Sequence, residues 1–233
     1  MFDLLAYGAD GWGDELLAGL WVTVSLAVAT LPFGLALGFV IALARRSRHW
    51  WANDLAAAFT TIFRGLPELL TLFLIYYGGA ALVRALFEAV GLDAPEIPPF
   101  LAAMIALGLV FASFAAEVFT SAFKGIPVGQ DEGAAALGLR RGQTMRLVVF
   151  PQLVRLALPG LANLWLILLK DTALVSIIAV DDLLRQTRIA VGAEREPFFF
   201  YAVACGIYLA LSIVSSFGIR RVETWAERGQ AAR

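Results

Sequence analysis

The feature that most constrains this chain is an unbroken stretch without a charged residue, from Leu16 to Ala44. A helix of about 20 residues crosses the hydrocarbon core of a bilayer, so this longer stretch predicts a membrane span with room to tilt. The composition supports that environment, because 60% of the 233 residues are hydrophobic and only 16% are charged. Soluble domains carry about 25% charged residues. The sequence therefore predicts an all-α membrane protein.

Four further apolar stretches follow the first, separated by polar segments. Together they predict five transmembrane helices in a single transmembrane domain over residues 1–233, at about residues 16–44, 66–83, 97–123, 153–180 and 197–219. A short helix over residues 53–63 is expected to run along or out of the membrane surface. The segments 84–99 and 181–196 are expected to be polar loops.

The charged residues are unevenly divided between the two sides of these spans. Thirteen of the 18 Lys and Arg residues fall in residues 45–64, residues 124–155 and the C-terminal tail, whereas 11 of the 19 Asp and Glu residues fall on the opposite side. Because cytoplasmic loops of membrane proteins are enriched in Lys and Arg, the N-terminus is predicted outside and the C-terminus in the cytoplasm.

Several chemistries are excluded by what the sequence lacks. The only lysines, Lys124 and Lys170, do not follow a glycine, so no ATP-binding P-loop is present. His49 is the only histidine and Cys205 the only cysteine, which excludes histidine metal sites, a Ser-His-Asp triad and a disulfide framework. We expect no catalytic residue, no metal and no cofactor in this chain, and no nucleic-acid partner.

Residues 129–151 form a polar insert between the third and fourth spans. Asp131 and Glu132 suit the start of a helix, and Gly138 suits its end. An apolar stretch then follows the basic residues and stops at Pro151. The pattern predicts two short cytoplasmic helices broken at Gly138. Long helical inserts of this kind are usually functional, so we interpret it as a docking surface.

Three charged residues lie within the predicted spans and away from their first turns: Glu117, Lys170 and Asp171. Each costs about 2.5–3.5 kcal/mol or more at the bilayer centre, so it is expected to face a cavity or a partner. Ser113 lies four residues before Glu117, and Asn163 lies seven before Lys170, so each pair shares a helix face. The residues predict either a polar path for a zwitterionic solute or a structural ion pair between the third and fourth spans. An interfacial position for Lys170 and Asp171 is a further alternative.

The second span begins at a proline. Pro67 restricts Leu66 to extended conformations, so the chain is expected to bend there. Arg64 and Glu68 are interpreted as a structural pair or as headgroup anchors. In the first span, Gly34 and Gly38 either allow close approach of another helix or reflect the abundance of glycine in membrane helices.

The insert also carries a family pattern. Glu132-Gly133-Ala134 is followed by three residues and Gly138, then by nine residues and Val148-Val149-Phe150-Pro151. This resembles the Glu-Ala-Ala loop of permease subunits of bacterial ATP-binding-cassette (ABC) importers. The spacing is kept, and the departures are Gly133 for Ala, Val148 for Ile and Phe150 for Leu. Glycine at position 133 costs the first short helix up to about 1 kcal/mol.

The resemblance extends over about residues 16–220 and is closest to polar amino acid permeases of the histidine, lysine/arginine/ornithine and opine branch. The segments that carry it are Phe59–Leu70, Ala116–Phe119, Ile126–Gln130, Ala157–Trp165 and Leu168–Ser176.

What the resemblance implies is a type I ABC importer permease fold with cytoplasmic coupling helices, in the bacterial inner membrane. Its partners would be a second permease chain, identical or related, an ABC ATPase dimer that binds the ATP, and a periplasmic amino-acid-binding protein. The expected function is import of a cationic or polar amino acid or an opine. The ATPase-coupling residues would be Glu132, Gly133, Ala134, Gly138, Gln143 and Pro151. The substrate path would include Ser113, Glu117, Asn163, Lys170, Asp171, Thr172 and Ser176.

The alternative is a secondary transporter or channel in which Glu117, Lys170 and Asp171 relay protons or ions. It explains the charges in the spans but leaves the 129–151 insert without a purpose. Uptake that follows a proton gradient and ignores ATP would favour it. An intramembrane enzyme is set aside because no nucleophile–base pair or metal set is present.

Overall fold

The computed structural model describes residues 2–8 and 11–227, and the elements in these ranges are helical. A short 3-10 helix, Phe2–Leu5, precedes the main helices. These are α1 (Gly13–Arg45), α2 (Trp50–Gly65), α3 (Glu68–Ala89), α4 (Pro99–Lys124), α5 (Val128–Ala136), α6 (Arg141–Ile177), α7 (Leu183–Glu194) and α8 (Pro197–Glu227).

Within the described ranges, five helices are long and apolar enough to cross a membrane: α1, α3, α4, α6 and the Pro197–Thr224 part of α8. The prediction of an all-α protein with five spans is therefore confirmed. Between them lie three shorter helices, α2, α5 and α7.

Helix α4 is central to the bundle and packs against α1, α2, α3 and α6. Its contact with α1 is close because glycines face it. A Cβ added at Gly38 would lie 2.8 Å from Ala115 Cβ and 2.9 Å from Ala112 O, and one at Gly34 would lie 2.5 Å from Phe111 Cδ1. Of the two interpretations of this glycine pair, close helix approach is therefore confirmed.

Two of the spanning helices change their hydrogen-bonding pattern along their length. Helix α3 contains a π-helical turn at Leu74–Gly78 and α6 contains one at Met145–Val149. Helix α6 then continues as α-helix through Pro151 to Asp171 and tightens into a 3-10 turn at Thr172–Ile177. The predicted second short helix of the insert is thus wrong, because it is the first part of α6 and does not stop at Pro151. Pro151 has no N–H, so it cannot donate the usual hydrogen bond to the preceding turn. The helix accommodates it with the π-helical turn just before it.

The segment expected to be a polar loop at 181–196 is instead helix α7. Asp182 is its N-cap and accepts hydrogen bonds from the backbone N–H groups of Arg185 and Leu184. Leu183, Thr187 and Ala190 are buried at helical spacing. The expected loop at 84–99 is also shorter, because α3 continues to Ala89. At the start of α3, Leu66 is extended with φ −91° and ψ 142°, which confirms the effect predicted for Pro67.

Helices α5 and α7 lie at opposite ends of the bundle. A Cβ at Gly19, near the start of α1, would lie 2.8 Å from Asp182 O. Phe39, twenty residues further along α1, contacts Phe123 and Phe150, which flank α5 on either side. Because a helix rises 1.5 Å per residue, the two ends are roughly 30 Å apart.

Candidate functional site

Helix α5 presents nearly all of its side chains to the outside of the bundle. Ala134 is its buried residue, at 4% exposure. Val128 is 71% exposed, and Leu137, the C-cap directly after the helix, is 82% exposed. Gly138 follows with φ +78°, a conformation that glycine adopts without strain, and this confirms it as the helix stop. The outer side of this polar helix thus carries two exposed apolar side chains, Val128 and Leu137.

One glutamine caps the start of α6, and another links α5 to it. Gln143 Oε1 accepts a hydrogen bond of 2.9 Å from the N–H of Arg140, at the N-cap of α6. Gln152 Nε2 donates to Gln130 Oε1 at 3.0 Å and to Val148 O at 2.9 Å. The second pair ties α5 across to α6 beside the π-helical turn. This pair therefore links α5 to a spanning helix.

The predicted coupling residues are exposed, with one exception. Ala134 faces the bundle, and the others are exposed: Glu132, Gly133, Gly138, Gln143 and Pro151. Sequence reasoning missed Leu137, whose exposure depends on which face of α5 meets α6. It also missed the Gln130–Gln152 link, since neither side chain belongs to the family pattern.

Glu117 pairs with a residue that the sequence analysis placed elsewhere. Its Oε1 lies 3.4 Å from Arg64 Nη1, at the end of α2, and the two side chains are 33% and 44% exposed. Arg64 also lies over the Phe114 ring at 5.6 Å. The predicted ion pair from Glu117 to the fourth span is therefore wrong, and so is the pairing of Arg64 with Glu68. The Arg64–Glu117 ion pair therefore joins α2 to α4.

Asp171 lies at the end of the α-helical part of α6, and its carboxyl interacts with the carboxyl of Glu68 and with Lys170. Lys170 and Asn163 are exposed on the single chain. Glu68 is the residue that the substrate-path prediction missed. It stands at the first position of α3, directly after the bend at Pro67. The structure thus brings two acidic groups and one ammonium group together from helices α3 and α6.

Three hydroxyl residues of the predicted path are buried: Ser113, Thr172 and Ser176. Ser113 Oγ donates to Val110 O at 2.7 Å, and Thr172 Oγ1 donates to Leu169 O at 2.7 Å. These bonds satisfy the hydroxyl hydrogens within their own helices, which leaves only the oxygen lone pairs as acceptors. Ser113 and Thr172 therefore contribute less to a polar path than the charged residues do.

The comparisons with known proteins decide the family. Residues 34–225 match the family described as the binding-protein-dependent transport system inner membrane component. This chain belongs to that family. As one of these inner membrane components, it is a multi-pass membrane protein that works with a binding protein. The predicted resemblance to ABC importer permeases is confirmed.

Several relatives of this inner membrane component match over nearly its whole length. It is 38% identical to the nopaline transport system permease protein of Agrobacterium fabrum, over 97% of each chain. It is 41% identical to the arginine ABC transporter permease protein of Escherichia coli, over 89% of this chain and 92% of that one. It is 37% identical to the histidine/lysine/arginine/ornithine transport system permease protein of Salmonella typhimurium, over 88% and 90%.

Two solved structures match the fold of the inner membrane component. A crystal structure of an amino acid ABC transporter with histidines has a TM-score of 0.77 at 29% identity, covering 91% of this chain and 94% of that chain. An inward-facing methionine ABC transporter has a TM-score of 0.71 at 20% identity, covering 91% and 95%. The family decides against a secondary transporter or channel, because its members are components of binding-protein-dependent systems.

Proposed function

We propose that this chain is the permease subunit of an ATP-driven importer of a cationic or polar amino acid or an opine. It is oriented with the N-terminus outside the bacterial inner membrane and the C-terminus in the cytoplasm. Two permease chains, identical or related, stand on two ATPase subunits that bind the ATP. A binding protein delivers the amino acid from outside.

The observation that carries this proposal is the exposed surface of α5 with the family spacing from Glu132 to Pro151. The helix touches the bundle through Ala134 and the Gln130–Gln152 hydrogen bond. Leu137 is exposed on its outer side. Helix α5 is thus the coupling helix, which a groove on the ATPase covers. When the ATPase pair closes on nucleotide, α5 moves and carries α6 with it.

The acidic pair of Glu68 and Asp171 gives this path its preference for cations. Two carboxylates within interaction range of each other attract an ammonium or guanidinium group, because each then gains a charge-assisted hydrogen bond. Lys170 stands beside them and suits the carboxylate of a zwitterion. The Arg64–Glu117 ion pair is partly exposed and lies nearer to α5. It is a second polar site along the path.

Charge reversal on α5 tests the coupling role. With the ATPase and the binding protein in proteoliposomes, Glu132→Arg and Gly138→Trp are expected to reduce L-arginine uptake roughly tenfold or more, because a charged or bulky group then meets the docking groove. Both proteins should still insert into the membrane. Glu88→Arg, an exposed acid at the end of α3, is the matched control. Normal uptake in both α5 variants would contradict the proposal.

Labelling tests the orientation independently. Cysteine placed at position 137, in a Cys205→Ser background and expressed without the ATPase, is expected to react with a membrane-impermeant maleimide only after the cells are permeabilised. Cysteine at position 92, in the loop after α3, should react in intact cells. The reverse pattern would sink the proposed topology and the coupling role with it.

Charge removal in the path tests the substrate class. Asp171→Asn and Glu68→Gln are expected to raise the KM for L-arginine more than the KM for L-glutamine, because only arginine carries a side-chain cation. Equal effects on both amino acids would contradict the selective role of the acidic pair.

A further inference from the structure

Helix α7 is fastened to α1 at three places. The Leu183 N–H donates to Thr23 Oγ1 at 3.1 Å, and Gly19 packs directly on the backbone of Asp182 and Leu183. At the other end, Trp12 Nε1 donates to Glu194 Oε1 at 3.1 Å. With Asp182 capping its first turn, α7 is a preorganised platform rather than a mobile connection between spans.

The side of α7 that faces away from α1 borders a hollow of about 410 Å³. Arg185, Arg188 and Ile189 line it from α7, and Ser176 and Ile177 line it from the 3-10 turn that ends α6. Arg185 and Arg188 are three residues apart, so they are neighbours on one helix face. The hollow therefore combines two guanidinium groups with a hydroxyl and two apolar walls.

The charge of this hollow contrasts with the rest of its end of the molecule. On that side the sequence has 11 acidic residues and four basic ones, Arg84, Arg185, Arg188 and Arg195. Two of those four arginines line the one hollow. Arg185 Nε lies 2.9 Å from Asp181 Oδ1 but makes no hydrogen bond. Arg188 is exposed and forms no ion pair with any residue that the structure describes.

We propose that this hollow is a carboxylate-binding site, with Arg188 as its main ligand and Arg185 and Ser176 beside it. Guanidinium groups bind carboxylates through two parallel hydrogen bonds, and fixed backbones make such contacts selective. The inference rests on the proposed function. Its ligand is a carboxylate, supplied by the amino acid before it reaches Lys170 and Asp171 or by an acidic side chain of the docked binding protein.

The first arm of the test asks whether the amino acid supplies the carboxylate. The purified permease–ATPase complex is dialysed against L-arginine and against L-argininamide, which lacks the carboxylate. If the substrate is the ligand, Arg188→Gln raises the Kd for L-arginine roughly tenfold and leaves the Kd for L-argininamide unchanged. Arg188→Lys should restore only part of the affinity, since lysine keeps the charge and loses the bidentate geometry.

The second arm asks whether the binding protein supplies it. The concentration of binding protein that half-saturates ATP hydrolysis is measured in nanodiscs at low and high NaCl. If the protein is the ligand, Arg188→Gln raises that concentration roughly tenfold at low salt and weakens its salt dependence. Amino acid binding in the first arm then stays unchanged.

Arg84→Gln is the matched control, since it removes the same charge from the same end but outside the hollow. A specific effect of Arg188→Gln in either arm supports the site and names the source of the carboxylate. If Arg188→Gln behaves like Arg84→Gln in both arms while the wild-type complex shows stimulated ATP hydrolysis, the carboxylate site is overturned alone. If the wild-type complex shows no stimulation by a binding protein, the proposed function is overturned together with it.

Discussion

Helices α5 and α7 are both short connections between spans, at opposite ends of the bundle, and they attach to it in different ways. Helix α7 has 12 residues, buries Leu183, Thr187 and Ala190, and is capped by Asp182. Helix α5 has nine residues, buries Ala134, and has no side-chain N-cap. The first is part of the packed bundle, whereas the second leaves nearly all of its surface exposed.

The glycines make the same distinction. A Cβ at Gly19 would meet the backbone of α7 at 2.8 Å, but one at Gly133 in α5 would meet nothing within 4 Å. Interiors that are already close-packed resist added volume, and open surfaces do not. The difference teaches that α7 at one end is packed into the bundle, whereas α5 at the other end is largely exposed. Four predictions test this difference.

The largest expected effect is that of a substitution at the end of α5 on binding of the ATPase. Leu137→Ser should weaken association with the ATPase by about 10- to 100-fold, because burial of a leucine contributes about 1.5–3 kcal/mol and each 1.4 kcal/mol is tenfold. The Kd is measured by titrating ATPase onto the permease in nanodiscs. Leu92→Ser is the control: Leu92 is also exposed, at 60%, and this substitution should leave the Kd unchanged. An unaltered Kd for Leu137→Ser would mean that α5 is not the docking helix.

A substitution at the contact between α1 and α7 should lower the stability of the protein. Gly19→Ala is expected to lower the free energy of unfolding by about 1–3 kcal/mol, because its Cβ would overlap Asp182 O and Leu183 Cα. The midpoint of thermal unfolding in detergent measures it. Gly206→Ala in α8 meets nothing within 4 Å and should not lower that midpoint. If the two variants unfold alike, α7 does not pack on α1 as described.

The N-cap of α7 gives a pH-dependent effect. Burial raises the pKa of Asp182 from 3.8 to about 6, although hydrogen bonds from the Arg185 and Leu184 backbone and the charge of Arg185 oppose the rise. A raised carboxyl pKa means that the folded state binds the proton more tightly than the unfolded state. The stability from this group therefore increases as pH falls from about 6 towards 4.

Asp182→Asn keeps the cap and removes the charge, so it should be more stable than wild type at pH 7.5, with the difference shrinking towards pH 4. Asp182→Ala loses the cap, at a cost of about 0.5–2 kcal/mol. Thermal midpoints across this pH range measure both. A difference between wild type and Asp182→Asn that does not change with pH would contradict the burial of an ionised Asp182.

The smallest expected effect is a gain in α5. Gly133→Ala should stabilise that helix by up to about 1 kcal/mol, because alanine favours helix and nothing occupies the space of its Cβ. Backbone amides of α5 are then expected to exchange with solvent about fivefold more slowly. The global unfolding midpoint should not move. A lower midpoint would show that Gly133 packs against the bundle after all.

The spans could be predicted because lipid imposes one strong rule, that long charge-free stretches become helices. The stop at Gly138 was also predictable, since glycine adopts the positive φ of a helix end without strain. Helix α7 was missed because a helix of 12 residues is marginal by itself and draws its stability from tertiary contacts. The cue was Asp182 followed by Leu183, Thr187 and Ala190, but the charges between them resemble a loop.

The charged groups in the spans show the limit more sharply. The sequence indicated that Glu117 and Asp171 need partners, because an isolated charge in lipid is costly. It did not identify Arg64 as the partner of Glu117, and it did not show that the Glu68 carboxyl lies beside Asp171. Those partners lie more than 50 and 100 residues away along the chain, so only the packing of α2 and α3 against α4 and α6 brings them together.

The sequence by itself determined that this chain lies in a membrane, how many times it crosses, and that residues 129–151 carry the family spacing. These follow from local composition and from order along the chain, which need no contact between distant residues. The tertiary structure alone decided that α7 is a fixed platform, that its arginines share one hollow, and which carboxylates meet which cations. Such facts depend on the distance between helices, and that distance is set by how glycines and small side chains let α1 and α4 approach.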